Sequence, residues 1–222
     1  MVSMCGRYVL ARSSDAVAAQ FGATHASGSV LAPHFNIPPT STVPVIIAVD
    51  GERRLGTMSW GIRGERQGKQ TLLFNSRLET LVNAPSRRGV PSRRCLVPAT
   101  GYYEWHTTSG VRTPYFITDP AAETFAMAGL YDGRKHIDGH LEWSFSIVTT
   151  AATPDLVAIH HRRPLLLPPG QQAAWLAGTA GLPDVLLELN GRQPPLTYVA
   201  VGPQVGDVRN NTASLLGPDH DS

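Results

Sequence analysis

The chain has 222 residues, 42% of them hydrophobic and 16% charged, with 19 Lys plus Arg against 17 Asp plus Glu and a formal net charge of +2. That is enough apolar material for one sizeable core, and it excludes a disordered chain. Two cysteines, no basic-then-apolar opening and no apolar run of spanning length exclude a disulfide framework and a helical membrane protein.

In chain order, the pattern predicts strands at Arg7–Leu10, Val43–Ala48, Leu55–Trp60, Thr71–Phe74, Tyr115–Thr118, Thr124–Leu130, Glu142–Thr149 and Thr197–Val201. These runs are rich in aliphatic β-branched and aromatic residues and are bounded by Gly, Pro or Asp turn signals. Helices are expected to be few and short. Ser14 is placed to cap a helix running to Phe21, with Gly22 at its C-terminal end. A second begins near Arg77 and stops before Pro85. Thr153-Pro154-Asp155 signals a third, ending near Ile159 and delivering His160 and His161 at its C-terminal end. Two more follow at Gln171–Ala177 and Pro183–Leu189. Many strands with scattered helices predict a single α+β domain built mainly on antiparallel sheet.

Four residues have the chemistry of a site. Cys5 stands in Met4-Cys5-Gly6-Arg7-Tyr8. If translation starts at Met4, or the first four residues are removed, Cys5 gains a free α-amine beside its thiol. Amine and thiol on adjacent carbons can take up an aldehyde as a five-membered thiazolidine, which an internal cysteine cannot form. From the pentapeptide alone, a buried cysteine opening a strand carries more weight. Asn75 ends an apolar strand. Glu104 sits in Gly101-Tyr102-Tyr103-Glu104-Trp105, where an aromatic setting suits a carboxyl to move protons near neutral pH. Its bland alternatives are a satisfied structural Glu or an edge-strand charge facing water. His160 is an acid/base by type, with a helix-capping role as the alternative. Adjacent histidines point apart and no Cys, Asp or Glu stands at zinc-ligand spacing around them, so no metal is expected. No phosphate loop or nucleophile elbow is present, and no cofactor is expected.

Seven blocks then occur in order: Met4-Cys5-Gly6-Arg7-Tyr8, Phe35-Asn36-Ile37-Pro38-Pro39-Thr40, Trp60-Gly61-Ile62, Asn75-Ser76-Arg77-Leu78-Glu79-Thr80, Arg94-Cys95-Leu96-Val97-Pro98-Ala99 leading into Gly101-Tyr102-Tyr103-Glu104-Trp105, Ala128-Gly129-Leu130-Tyr131, and Ile159-His160-His161-Arg162-Arg163-Pro164. With these the chain resembles the SOS-response-associated peptidase (SRAP) family, which shields abasic sites in single-stranded DNA. The resemblance implies an antiparallel pseudo-barrel with short peripheral helices, occupying residues 4–211 as one domain ahead of a flexible tail at 212–222. It implies that Cys5 forms the thiazolidine with the ring-opened sugar. Asn75 would orient the cysteine and sugar, Glu104 would move protons, and His160 would assist ring opening and reversal. Thr149 would line the site, Arg77 and Arg162 would hold phosphates, and Asn36, Pro39 and Trp60 would shape the groove floor. The partner implied is single-stranded DNA containing abasic sites, bound by a monomer that is cytoplasmic and nucleoid-associated on DNA.

Some positions depart from the family pattern. Met1-Val2-Ser3 precede the expected start, and His161 and Arg163 replace the usual acid and methionine. Ile62-Arg63-Gly64 lacks the usual Pro and further Trp. Two other functions compete with cross-linking. One is a cysteine peptidase using Cys5 with His160, including self-removal of the leader. The other is a non-covalent single-strand binder.

Overall fold

The computed structural model describes residues 6–26, 31–66, 69–83, 93–135, 138–139, 141–178 and 181–217. In chain order its elements are β1 (Tyr8–Leu10), α1 (Ser14–Phe21), β2 (Thr24–His25), β3 (His34–Ile37), β4 (Thr42–Val49), β5 (Glu52–Trp60), β6 (Ile62–Arg66), β7 (Lys69–Leu73), β8 (Asn75–Arg77) and α2 (Leu78–Asn83). They continue with β9 (Arg93–Ala99), β10 (Gly101–Thr108), β11 (Val111–Thr118), β12 (Phe125–Lys135), β13 (Leu141–Ala151), β14 (Arg162–Pro164), β15 (Leu166–Leu167), α3 (Pro169–Ala177), α4 (Leu182–Asn190) and β16 (Thr197–Ala200). Two 3₁₀ turns, Pro203–Gly206 and Ala213–Leu216, follow.

Strands β5, β4, β9, β12 and β13 are hydrogen-bonded in that order, and β13 returns to β5. A ring with an odd number of strands cannot be antiparallel throughout. The parallel junction is β13 with β5, where Ser144 pairs with Ser59 and Phe145 with Trp60. Closure leaves these five strands no open edge between them. Their buried side chains, including Val45, Leu55, Leu96, Met127, Phe145 and Ile147, belong to one continuous apolar cluster. Strand β9 is covered on its outer side as well, where Trp175 of α3 donates Nε1–H to the Cys95 carbonyl at 3.0 Å.

A second sheet runs β16-β11-β10-β1-β3. Thr100 alone separates β9 from β10, so the chain passes from barrel to sheet in one step. Gly101 makes that step possible, because a Cβ there would lie 2.4 Å from the Phe116 ring and 2.8 Å from the Ile117 carbonyl. Period-two alternation then divides the sheet's side chains. Tyr8, Tyr102 and Ile117 join the barrel cluster, while Val9, Tyr103 and Phe116 form a second cluster with Val205, Leu215 and Leu216.

The α+β class and the antiparallel majority agree with the sequence reading. The cap of α1 is corrected from Ser14 to Ser13, whose Oγ accepts from Ala16 N at 3.3 Å; Ser14 is buried and bonds Leu31 instead. Residues 154–159 form turns rather than the expected helix. Leu156 N and Val157 N both donate to Thr153 O, and Asp155 accepts from Leu196 N at 2.8 Å. The acid of the expected first turn is thus engaged by a residue 41 positions away. Beyond residue 211, Leu215 and Leu216 are buried; residues 218–222 lie outside the described ones. Among the described residues, no helix is long and apolar enough to cross a membrane.

Replacing Gly101 with Ala is expected to destabilise the fold by about 1–3 kcal/mol, because backbone as well as ring must shift. Urea unfolding checks this, and an unchanged midpoint would show that the strand relaxes freely.

Candidate active site

Glu104 lies on β10, between β1 and β11, where it pairs with Tyr115. Its side chain shares a face with Tyr102, toward the barrel, and it is 3% exposed. The sequence alternative of an edge charge facing water is thereby excluded. The neighbouring ladder runs toward the N-terminus: Tyr8 pairs with Tyr102, and Tyr103 N donates to Arg7 O at 3.0 Å. Gly6, the first described residue, comes next along this strand. Cys5 lies outside the described residues.

His160 follows the 154–159 turns, and His160 N donates to Leu156 O at 3.0 Å. Its Nδ1 is 3.7 Å from Glu104 Oε1, too long for a hydrogen bond but close enough for direct electrostatic coupling. The same Nδ1 is 3.1 Å from both the amide nitrogen and the carbonyl oxygen of Arg162. It can therefore accept from one or donate to the other, so both neutral tautomers have a partner. Nε2 is buried and has no hydrogen-bond partner among the described residues. Burial holds the imidazole below the ordinary histidine range; the bond its Nδ1–H can donate to the Arg162 carbonyl opposes this, while the charges of His161 and Arg162 push the same way as burial. The ring is thus a neutral group that can present either an acceptor or a donor at Nε2.

Strand β13 joins this corner to the other expected residues. On one side it pairs in parallel with β8, Ile147 opposite Asn75 and Thr149 opposite Arg77. On the other it pairs with β14, Ala151 opposite Arg162. Asn75 is half-buried and Arg77 is exposed. Arg162 is buried, with Nη1 donating to Glu79 Oε1 at 2.6 Å and Nη2 to Thr149 O at 2.6 Å and Thr149 Oγ1 at 3.2 Å. Burial alone would raise the Glu79 carboxyl, but the hydrogen bond and charge of Arg162 outweigh it and hold the group below its usual range. Thr149, fully buried, serves this arginine. Glu79 escaped the sequence reading as a partner, although an acid in the first turn of α2 was a visible signal.

Residues 4–208 match the profile of a family described as SOS response associated peptidase (SRAP). The chain belongs to the SRAP family. It is 30% identical to the abasic site processing protein YoaM of Bacillus subtilis over 98% of this chain and 99% of that protein. It is also 30% identical to YobE, an abasic site processing protein of the same organism, over 84% and 88% of the two chains. A solved structure of a Bacteroides thetaiotaomicron protein superposes with a TM-score of 0.79 at 22% identity, covering 96% of this chain and 98% of the other. That likeness is one of fold.

Three residues of the SRAP blocks stand away from solvent-facing roles. Asn36 is fully buried and spends its amide on three carbonyls, Val205, Asp207 and Asn210, at 3.2, 3.0 and 3.0 Å. Trp60 is fully buried too, its Nε1 donating to Phe74 O at 2.8 Å and its ring edge-on to Tyr8 at 5.2 Å. Both side chains lie beneath the surface. Pro39 is half-buried in the turn after β3, which is pinned by Thr40 N to Trp60 O at 2.8 Å. Of the two replaced positions in this SRAP chain, His161 is exposed with its ring centre 4.4 Å from that of His160. Arg163 is fully buried and donates to Thr153 Oγ1 and Pro194 O, both at 2.8 Å. Among the described residues, no group of three or more His, Cys, Asp or Glu could hold a metal.

Because folding depresses the His160 pKa, the unfolded chain takes up its proton first on acidification. The stability His160 contributes is complete above its unfolded pKa of about 6.5 and is lost as pH falls from there through the lower folded value. NMR titration of the His160 ring should show a midpoint below that reference, and His160→Gln should flatten stability against pH across this window. A ring titrating at or above the reference would contradict the burial argument.

Proposed function

We propose that this protein captures abasic sites in single-stranded DNA covalently, through the α-amine and thiol of Cys5. The observation that carries the proposal is the β1–β10 ladder, which runs the N-terminal strand beside a buried Glu104 that meets His160 at 3.7 Å. The names of YoaM and YobE point to the same lesion. An abasic sugar is mostly a closed hemiacetal. Opening it removes a proton from the hydroxyl on its first carbon and delivers one to the ring oxygen. A buried carboxyl next to a neutral imidazole with two available tautomers suits that exchange. The Cys5 amine then adds to the aldehyde carbon and water leaves, giving an imine. The thiol sulfur adds to the imine carbon, its proton passes to nitrogen, and the thiazolidine closes. One water is lost in all and no electrons are transferred. An α-amine with a reference pKa of about 7.7–8.0 supplies free base at neutral pH.

Two further features support the reading. The other cysteine, Cys95, is fully buried and burial pushes its thiol pKa up, so it is no competing nucleophile. Exposed Arg77 is the arginine best placed to meet a flanking phosphate, with Arg162 bracing the strand beneath it through Thr149. A missing base also lets the sugar enter a pocket without unstacking a normal nucleotide.

The wild-type protein with Cys5 as its first residue should form a denaturation-stable adduct with an abasic oligonucleotide, its intact mass the sum of both less one water. Protein retaining Met4 and the Cys5→Ala variant should form none; an adduct in Cys5→Ala would sink the proposal. Glu104→Gln should slow adduct formation by about a hundredfold. Its affinity for an oligonucleotide carrying tetrahydrofuran, an abasic analogue without an aldehyde, should stay the same. Arg77→Ala should weaken binding and reduce the slope of log affinity against log salt by about 0.7; an unchanged slope would remove Arg77 from the phosphate contacts.

A further inference from the structure

A nucleophile at a chain terminus has a mechanical problem, because chain ends fray unless they are tied down. Strand β1 is only three residues long, and Gly6, which joins it to Cys5, is the most conformationally permissive residue available. Besides the ladder bond from Tyr103 N to Arg7 O, the tie nearest the terminus is the Arg7 side chain. Its Nη1 donates to Asn36 Oδ1 at 2.7 Å and to Val205 O at 2.9 Å, and its Nη2 to Gly206 O at 3.3 Å. The guanidinium also lies over the Trp105 ring, 6.0 Å from its centre. Asn36 is oriented in turn by the three carbonyls that take its amide, all from the same C-terminal segment. That segment is braced internally: Asn210 Nδ2 donates to Gln204 O at 2.8 Å, and Asp207 N to Gln204 O at 3.2 Å. Beyond it, Leu215 and Leu216 pack with Tyr103, whose hydroxyl donates to Phe35 O at 3.0 Å.

We infer that Arg7, Asn36 and the C-terminal turn 203–210 form a positioning clamp for the Cys5 nucleophile, docking the first strand onto a segment encoded some two hundred residues later. The inference rests on the reading of Cys5 as the reacting residue. Two residues of chain span at most about 7 Å, so a fixed Arg7 confines Cys5 to that radius. Removing the guanidinium returns the freedom of Gly6 to the reacting end. A lysine cannot replace it, because one ammonium does not reproduce a planar fork that engages an amide oxygen and two carbonyls together. Arg7 is thus a positioning residue, and so is Asn36, in place of the groove-lining role its sequence block implied.

The test compares wild type, Arg7→Lys, Arg7→Ala and Asn210→Ala, each with Cys5 as first residue. Single-turnover adduct formation at saturating abasic oligonucleotide is measured beside affinity for the tetrahydrofuran oligonucleotide and thermal stability. Asn210→Ala loosens the turn from its surface side and keeps the test decisive if Arg7→Ala does not fold. Arg7→Ala and Arg7→Lys are expected to react about tenfold to a hundredfold more slowly at unchanged analogue affinity. Asn210→Ala should be slower by a smaller factor, and millimolar methylguanidinium should restore part of the Arg7→Ala rate. A wild type that forms adducts, alongside folded Arg7 and Asn210 variants reacting at its rate, overturns the clamp and leaves the proposed function standing. Parallel loss of rate, affinity and stability without methylguanidinium rescue also overturns it, as a purely structural role. No adduct in the wild type would instead remove the proposed function itself, and the clamp with it.

Discussion

The parallel contact between β5 and β13 is the junction on which the rest of this structure depends. It closes the five-strand ring, and it does so where Trp60 meets Phe145. Closure buries Trp60, and its indole N–H then holds the carbonyl of Phe74, which also accepts from Ile147 N at 3.0 Å. One carbonyl thereby sets the residue before Asn75. A few residues further along β13, Thr149 receives Arg162, whose backbone in turn orients the His160 ring. The two sides of the candidate site are thus tied to one strand, and that strand is placed by the ring closure.

Several arginines are used here as structural cations. Arg53 donates to Phe21 O at 2.8 Å, Arg162 to Thr149 O, Arg163 to Pro194 O, and Arg7 to the C-terminal turn. Arg93 lies 5.5 Å from the Trp143 ring centre. A carbonyl keeps a lone pair after its ladder bond, and a guanidinium has donors enough to bridge several of them. The arginines thus divide: Arg7, Arg53, Arg162 and Arg163 hold backbone carbonyls, while Arg63, Arg77, Arg93, Arg112, Arg134, Arg192 and Arg209 are exposed. An arginine count therefore overstates the number of exposed cations.

Burial gives Glu104 and His160 their chemical character. Desolvation keeps the imidazole neutral, and the paired Arg162 backbone groups allow it either tautomer. The exposed His161 beside it adds a charge only when protonated, and then opposes protonation of His160. The described parts of the site come from sheet and from turns braced by side-chain bonds, and the Arg7 fork ties the first strand to the C-terminal turn.

Local sequence determined the elements whose signals are local. Gly22 ended α1 as expected because its left-handed conformation at a φ of 59° favours glycine, and alternating β-branched runs located most strands. The ordered motif blocks named the family and singled out Asn75, Glu104 and His160. Tertiary structure alone decided what those residues face. No local pattern could show that Glu104 lies on an inner strand, that Trp60 and Asn36 are buried, or that Thr153-Pro154-Asp155 forms turns, since each depends on partners 14 to 174 residues away. The pairing of Arg7 with Val205 spans 198 residues, and only a closed barrel and a second sheet sharing its core can bring such ends together. Sequence periodicity reports which side of a strand is apolar; it carries no information on which strand lies opposite.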